Sequence, residues 1–352
     1  MEILDLPSGT PREMGQAHGE QVRAGIHELT QIRIGLALEA GNFGSEARLL
    51  EIAAAHVPLL ASYDRLLHEE FMGIVEGADL DPAKLVVLNH YTDLKDIDAE
   101  DCTTLTANTP EGPLLGQTWD MHGSAEPFVC LLRIPEVDGR PAVHSFTLHG
   151  CLALAGLNAH GLGVTINNLK SRDAKVGVLW PALVRRMLAE DNTHAAKHVL
   201  MTAPMSSGHH YLFGDGQHGC AVETSGERKA TTFEVRWDDT PDAAYAHTNH
   251  CLDEGIGEVS WVSEWSTSYE RFAWIEKSLG ESPLSGNADM WSRLGSHDGY
   301  PASLCTHLAT EEAPHKMKTC GAITMDLRQR TLHAVKGCAN DVSPAVFGFE
   351  KA

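Results

Sequence analysis

No run of eighteen apolar residues occurs in this chain, so no membrane-spanning helix is expected. Basic residues are scarce: 27 Lys and Arg stand against 48 Asp and Glu, a formal charge of −21. Nucleic acid and anionic membrane surfaces both require a basic footprint, so neither is an expected partner. An acidic surface favours solubility and draws amine-bearing small molecules. The eight cysteines, at 102, 130, 151, 220, 251, 305, 320 and 338, never fall in Cys-x-x-Cys spacing, and 352 residues far exceed a disulfide-dense scaffold. Most flank apolar residues, as in Val129-Cys130-Leu131, and read as buried small hydrophobes of a reduced cytoplasm. The first residues, Met1 to Pro7, lack a basic stretch followed by an apolar one, so the expected location is cytoplasmic rather than secreted.

Several familiar catalytic signatures are missing too. There is no His-Glu-x-x-His, and Gly161-Leu162-Gly163 and Gly214-Asp215-Gly216 lack the Lys-Ser/Thr of a phosphate loop, so they read as turns. Ser206-Ser207-Gly208 is not a nucleophile elbow. Among the histidines, His209-His210, His247-x-x-His250 and His307 are the metal candidates. None has zinc-ligand spacing, so no metal and no cofactor are expected. Trp180, Trp261, Trp265, Trp274 and Trp291 read as packing rather than a base-stacking platform.

What is present changes character near residue 100. Before it, helical periodicity covers 13–40 (Val22, Ile26, Leu29), then 45–77 with a break at Pro58, then a helix opened by Asp81-Pro82. After it come short β-rich runs at 113–119, 127–133, 142–149, 151–157, 162–168, 210–214, 219–224 and 230–236, with a hairpin of 321–327 and 331–336. Two helices interrupt them, at 179–190 and 266–279. Helices first and many antiparallel strands afterwards predict an α+β fold, layered αββα.

One residue at that boundary carries chemistry. Cys102 follows an acid-rich run (Asp93, Asp96, Asp98, Glu100, Asp101) and opens a strand-like stretch, Cys102-Thr103-Thr104-Leu105. Were the chain cut between Asp101 and Cys102, one residue would hold a thiol of pKa about 8.5 and an α-amine of about 8, a nucleophile with its own base. Equally, Cys102 reads as one of eight ordinary buried cysteines. Texture alone leaves both readings open.

The wider pattern resembles a known family. Gly15-Gln16-Ala17-His18-Gly19-Glu20 is similar to the opening glycine-rich helix of the acyl-coenzyme A:6-aminopenicillanic acid acyltransferases (peptidase family C45), which are N-terminal-nucleophile hydrolases. Further similar segments follow in order: 69–78, 88–94, Cys102-Thr103-Thr104, Gly116-Gln117-Thr118-Trp119-Asp120, 156–164, His247-Thr248-Asn249-His250 and Ser303-Leu304-Cys305. The resemblance implies a four-layer αββα sandwich and self-cleavage into a helical chain, 1–101, and a catalytic chain, 102–352, in one integrated domain. It also implies the roles. Cys102 is the nucleophile of both cleavage and turnover, and Asn249 donates to the oxyanion. Asp120 orients the nucleophile, and His122, His250 and Thr306 lie against substrate.

Two departures stand out. Thr306 occupies the place of an arginine in the penicillin-forming enzymes, which removes a carboxylate clamp, and Asp101 replaces the glycine before the nucleophile. The expected activity is hydrolysis of a small N-acyl amide, amine-bearing or neutral, such as a β-alanyl amide of a biogenic amine. Acyl transfer from acyl-coenzyme A to an amine is the second expectation, an unprocessed binding protein the third, and a homo-oligomer stays open.

Overall fold

The computed structural model describes residues 1–41, 43–94 and 100–349. Within them a short strand, β1 (Glu2–Asp5), precedes six helices. Helix α1 (Pro11–Gln21) starts with a capping box, Thr10 with Glu13, and with Pro11 where a missing N–H costs nothing. Next come α2 (Arg23–Ala40), α3 (Glu46–Ala54, capped by Ser45) and α4 (His56–Tyr63). Asp64 then caps α5 (Arg65–Ala78), and Asp81 caps α6 (Pro82–His90). α1 and α5 pack backbone to backbone, which accounts for their glycines. A Cβ on Gly15 would lie 2.0 Å from the Glu70 carbonyl oxygen, and one on Gly77 2.1 Å from that of Gln16.

The remaining strands are β2 (Glu100–Thr109), β3 (Gly112–His122), β4 (Val129–Ile134), β5 (Val143–Leu148), β6 (Ala155–Asn158), β7 (Gly163–Asn168) and β8 (Lys170–Ser171). They continue as β9 (His209–Gly214), β10 (His218–Thr224), β11 (Lys229–Arg236), β12 (Ala244–His247), β13 (Ser260–Trp261), β14 (Met317–Asp326), β15 (Thr331–Lys336) and β16 (Ala345–Gly348). Helices α7 (Trp180–Met187), α8 (Thr193–Thr202), α9 (Glu254–Gly257), α10 (Ser268–Glu281) and α11 (Asn287–Leu294) lie between them. One sheet runs β1-β4-β5-β6-β7-β9-β10-β11, the other β12-β2-β3-β14-β15-β16, and β8 pairs with β13.

The two large sheets face each other through β2, β3 and β7. Polar side chains in that interface are paired, as buried polar groups must be. The Gln117 amide both donates to the Ile166 carbonyl (2.8 Å) and accepts from the Ile166 N–H (3.1 Å), and Thr104 donates to Asn167 (2.7 Å). Ile275, Met290 and Leu294 of α10 and α11 cover the outer face of the six-stranded sheet, against Leu105, Leu114 and Ala246. α7 and α8 cover the eight-stranded sheet, and α5 and α6 pack on α7. The fold is therefore α+β with the expected αββα layering. Residues on both sides of position 101 share one core, and β1 forms an edge of the eight-stranded sheet. His18 of α1 accepts the Gly150 N–H (3.0 Å), and His90 of α6 meets the Ser206 hydroxyl (2.9 Å).

Several boundaries differ from the sequence reading. The 13–40 helix breaks at Val22 (φ −127), and 45–77 comprises three helices broken at Ala55 and Asp64, with Pro58 inside α4. The expected strand 151–157 begins only at Ala155, because Gly150 (φ +78) turns the chain. Strands β1 and β12 and helices α8 and α11 carry too few periodic residues to be read from sequence. Cys102 does not open its strand: β2 begins two residues earlier, and Cys102 is buried rather than at an exposed junction. Asp93 is buried against His209 (2.8 Å), while Asp96 and Asp98 lie outside the described residues. Among the described residues no helix is long and apolar enough to cross a membrane.

Candidate active site

The site forms where one strand ends beside another that continues. β12 pairs with β2 from Ala244↔Ala107 to His247↔Thr104 and then turns away. Cys102 lies just beyond that last pair, so side chains replace the missing strand. Its N–H donates to Asn249 Oδ1 (2.9 Å), while its carbonyl accepts from Asn167 Nδ2 (3.0 Å) and from Arg271 (2.8 Å). On the other side, β3 places Trp119 opposite Cys102 and Asp120 opposite Asp101.

Asn249 is fixed in turn. Its N–H donates to the Ser268 hydroxyl (2.7 Å) and its Nδ2 to the Asn168 carbonyl (3.0 Å). The preceding His247 is buried against Glu223 (2.8 Å) and stacks on His210 (centroids 3.6 Å apart), so the turn after β12 has little freedom. Arg271, fully buried on α10, joins the parts. Besides the Cys102 carbonyl it donates to the Thr103 hydroxyl (3.0 Å) and Asn249 Oδ1 (2.8 Å), and it pairs with Asp101 (3.1 Å). Sequence reasoning missed Arg271. Its signal was its place four residues before Ile275, on the buried stripe of a helix.

Asp120 is buried and accepts from the Thr319 hydroxyl (2.6 Å); its second carboxylate oxygen has no hydrogen-bond partner. Burial pushes its carboxyl up to about 7, against the opposing pull of Arg271 and Thr319. Thr319 also accepts the Thr306 N–H (2.9 Å), which ties Asp120 to the wall of a cleft of about 220 Å³. Asp101, Trp265, Thr267, Thr306, Leu308 and Met317 line that cleft. Among the described residues Asp101 is the charged group on its wall, and Cys102 follows Asp101 directly in the chain.

The other two expected substrate residues sit differently. His250 bonds Ser268 (2.8 Å) and packs between Tyr269 and Phe272, with its pKa lowered by burial to about 4. It supports the Asn249 turn and does not line the cleft. His122 ends β3 and bonds Ser124 (2.7 Å). It is buried opposite Met317, behind the cleft wall, and burial holds its pKa well below the usual imidazole range. The histidine pairs weighed as metal ligands are each occupied apart: His209 by Asp93, His210 by Asn167, His247 by Glu223 and His250 by Ser268. His307 belongs to a different cluster.

Three comparisons bear on this geometry. The family model for acyl-coenzyme A:6-aminopenicillanic acid acyl-transferase matches residues 107–337, a span that holds Asp120, His122, Asn249, His250 and Thr306 and begins just after Cys102. The chain is 25% identical over 303 residues to the acyl-coenzyme A:6-aminopenicillanic-acid-acyltransferase 40 kDa form of Emericella nidulans, covering 84% of this chain and 82% of that one. Among solved structures it is similar to a Caenorhabditis elegans orthologue of N-acylethanolamine-hydrolyzing acid amidase (12% identity, TM-score 0.42, 64% of this chain and 92% of that one). It is also similar to a variant of conjugated bile acid hydrolase from Clostridium perfringens (13%, TM-score 0.40, 71% and 97%). The chain is an enzyme of the acyl-coenzyme A:6-aminopenicillanic acid acyl-transferase family.

Proposed function

We propose that this protein is a self-processing cysteine hydrolase of N-acyl amides, with Cys102 as nucleophile. The observation that carries this reading is the grip on Cys102: Asn249 holds its N–H, and Asn167 and Arg271 hold its carbonyl. Such a grip fixes the thiol next to the Asp101 carbonyl. In self-cleavage, Cys102 Sγ adds to the Asp101 carbonyl carbon and the bond to the Cys102 nitrogen breaks. That nitrogen takes up the thiol proton, leaving a thioester. Water then attacks the thioester, releasing the Asp101 carboxylate and freeing both thiol and α-amine. The products, 1–101 and 102–352, stay together through their common core.

In turnover the α-amine takes the thiol proton and Sγ attacks the substrate carbonyl. The leaving amine is protonated by the α-ammonium, and water resolves the thioester. Asn249 Nδ2 spends one N–H on Asn168, and its second serves the oxyanion. Arg271 is a positioning residue that holds Asn249 in register. Among the described residues the cleft wall offers Thr306 and no cationic side chain, so it suits a neutral or amine-bearing substrate rather than an acidic one. A chain with eight free cysteines suits a reducing compartment such as the cytoplasm.

Mass spectrometry of the denatured protein tests the reading. Two chains are expected, the second starting at Cys102. A single 38.2 kDa species whose Cys102 resists thiol reagents would remove it. Acyl transfer is the second reading, favoured by the name of the Emericella relative. Acyl-coenzyme A consumed with an amine acceptor, without release of free acid, would establish it.

A further inference from the structure

The cluster that includes His307 stands apart from this chemistry. His297, Cys305, His307 and Cys338 come from three separate segments: the turn after α11, the stretch before β14 and the turn after β15. One ligand atom from each lies within 4.8 Å of all the others. His297 and His307 present their Nε2 atoms 3.1 Å apart, and the two Sγ atoms are 3.4 Å apart. Mixed edges measure 3.4 Å from Cys305 to His307 and 3.5 Å from Cys338 to His297.

These four contacts join the donor atoms in a closed ring, and the two remaining pairs, His297 with Cys305 and His307 with Cys338, lie within 4.8 Å. With Zn–S about 2.3 Å and Zn–N about 2.05 Å, a regular zinc tetrahedron has edges of about 3.8 Å between sulfurs, 3.3 Å between nitrogens and 3.6 Å for mixed pairs. Each observed edge is within about 0.4 Å of these values. A disulfide would instead need the sulfurs at about 2.05 Å. Two thiolates and two neutral imidazoles neutralise a divalent ion, and an S₂N₂ donor set suits zinc over magnesium, calcium or manganese.

The surroundings fit a bound ion. The Asn340 N–H donates to Cys338 Sγ (3.4 Å). Tyr300 donates to the His307 carbonyl (3.2 Å), and the Cys305 N–H to the Ser296 carbonyl (3.0 Å), so the ligand-bearing backbone is fixed.

We propose that His297, Cys305, His307 and Cys338 bind one zinc ion in a closed, structural site. With four protein ligands no position is left for water or substrate, so the ion does not enter the reaction. Its effect on the enzyme is positional. Cys305 and His307 flank Thr306, which lines the cleft and reaches Asp120 through Thr319. The ion thus staples the cleft wall to the end of β15.

Metal analysis of the purified full chain, prepared under reducing conditions with zinc supplied, tests this. About one zinc per chain is expected. Cys305→Ser and Cys338→Ser should each lower it at least tenfold, while Cys251→Ser, a cysteine outside the cluster, should retain it. Because the buried cysteine variants can misfold, His297→Ala, altered at an exposed ligand, is the second variant. It should fold and release zinc to a chromogenic chelator at least tenfold faster. Cobalt exchanged into the wild-type site should give thiolate-to-metal charge-transfer absorption, lost in Cys338→Ser. Less than a tenth of an equivalent of zinc would overturn the proposal, as would a full equivalent of another metal. So would a Cys305–Cys338 disulfide, detected as a loss of two mass units.

Discussion

Asp120 provides a direct physical test of the site. Its carboxyl moves from an ordinary 3.8 to about 7 in the folded chain, with burial as the main cause. The folded state therefore holds a proton that the unfolded state has already lost between about pH 4 and 7. Stability falls as pH rises through that window and levels off above it. At 1.36 kcal/mol per pH unit the whole effect is about 4 kcal/mol. Asp120→Asn removes the ionisation and resembles the protonated acid. The comparison is best made in a Cys102→Ala background, where both proteins remain a single chain. Urea unfolding at pH 4 and pH 8 gives the stability of each, and histidines common to both cancel in the difference. Relative to its parent, Asp120→Asn should gain about 4 kcal/mol between pH 4 and pH 8. Parallel stability curves would refute the assignment of a protonated, buried acid beside Cys102.

Cys102→Ala should abolish both self-cleavage and turnover; a processed, active variant, found by mass spectrometry and product assay, would sink the mechanism. Asn249→Ala should retain some cleavage but lose about 10²- to 10³-fold in kcat, the typical worth of one oxyanion donor; normal kcat would remove that role. Arg271→Met removes the ion pair with Asp101 and the bonds to Asn249 and the Cys102 carbonyl, so it should destabilise the precursor by about 3 kcal/mol and slow cleavage at least tenfold, with Arg271→Lys recovering part of the rate. Time-resolved gel analysis of the precursor checks this, and unchanged cleavage kinetics would count against it. His18 and His90 are pushed down to about 3 by burial, so each contributes stability that is lost as pH falls below 6.5, about 2 kcal/mol at pH 5. Both join the 1–101 segment to the rest, so the processed chains should separate on size exclusion near pH 5 and stay together at pH 7.5.

Much of this molecule was legible because local signals agree with tertiary demand. Asp81-Pro82 marks a real helix start, and the change from helical to alternating periodicity falls where β2 begins, whereas the caps at Thr10 and Asp64 are passed over inside longer periodic stretches. The glycines of 15–19 and 73–77 stood out as motif residues, and the contact of α1 with α5 supplies their physical reason. Arg271 was hidden because a single cation on an amphipathic helix reads as solvated face; its spacing from Ile275 was the one hint, and the α10 contact with β2 shows it as buried. The zinc-like tetrad was hidden for another reason. Its ligands are spread over 297–338 with no Cys-x-x-Cys, and the topology of α11 and β15 brings them together. His122 and His250 read as substrate contacts from their places in motifs; in the fold both are buried beside the cleft residues, His122 opposite Met317 and His250 against Ser268.

Under the proposed cleavage the grip on Cys102 also explains how one arrangement serves two reactions. Before cleavage, Asn249 Oδ1 accepts a peptide N–H, and Arg271 is shared among Asp101, Asn249 and the Cys102 carbonyl. Breaking the Asp101–Cys102 bond turns that N–H into an α-amine still held by Oδ1, so the new base is oriented with no side chain having to move. The Cys102 carbonyl stays on Asn167 and Arg271 because it belongs to the chain that remains. What changes is the far side. Asp101 lines the cleft and ends as a free C-terminus, so its displacement would alter the cleft wall next to Cys102 in the chain. The half of the strand that stays is fixed by buried side chains at Cys102, while Asp101 on the other side pairs with Asp120 of β3 and with Arg271. An Asp101→Gly chain should on this reasoning still cleave, because the grip that aims the thiol does not include the Asp101 side chain.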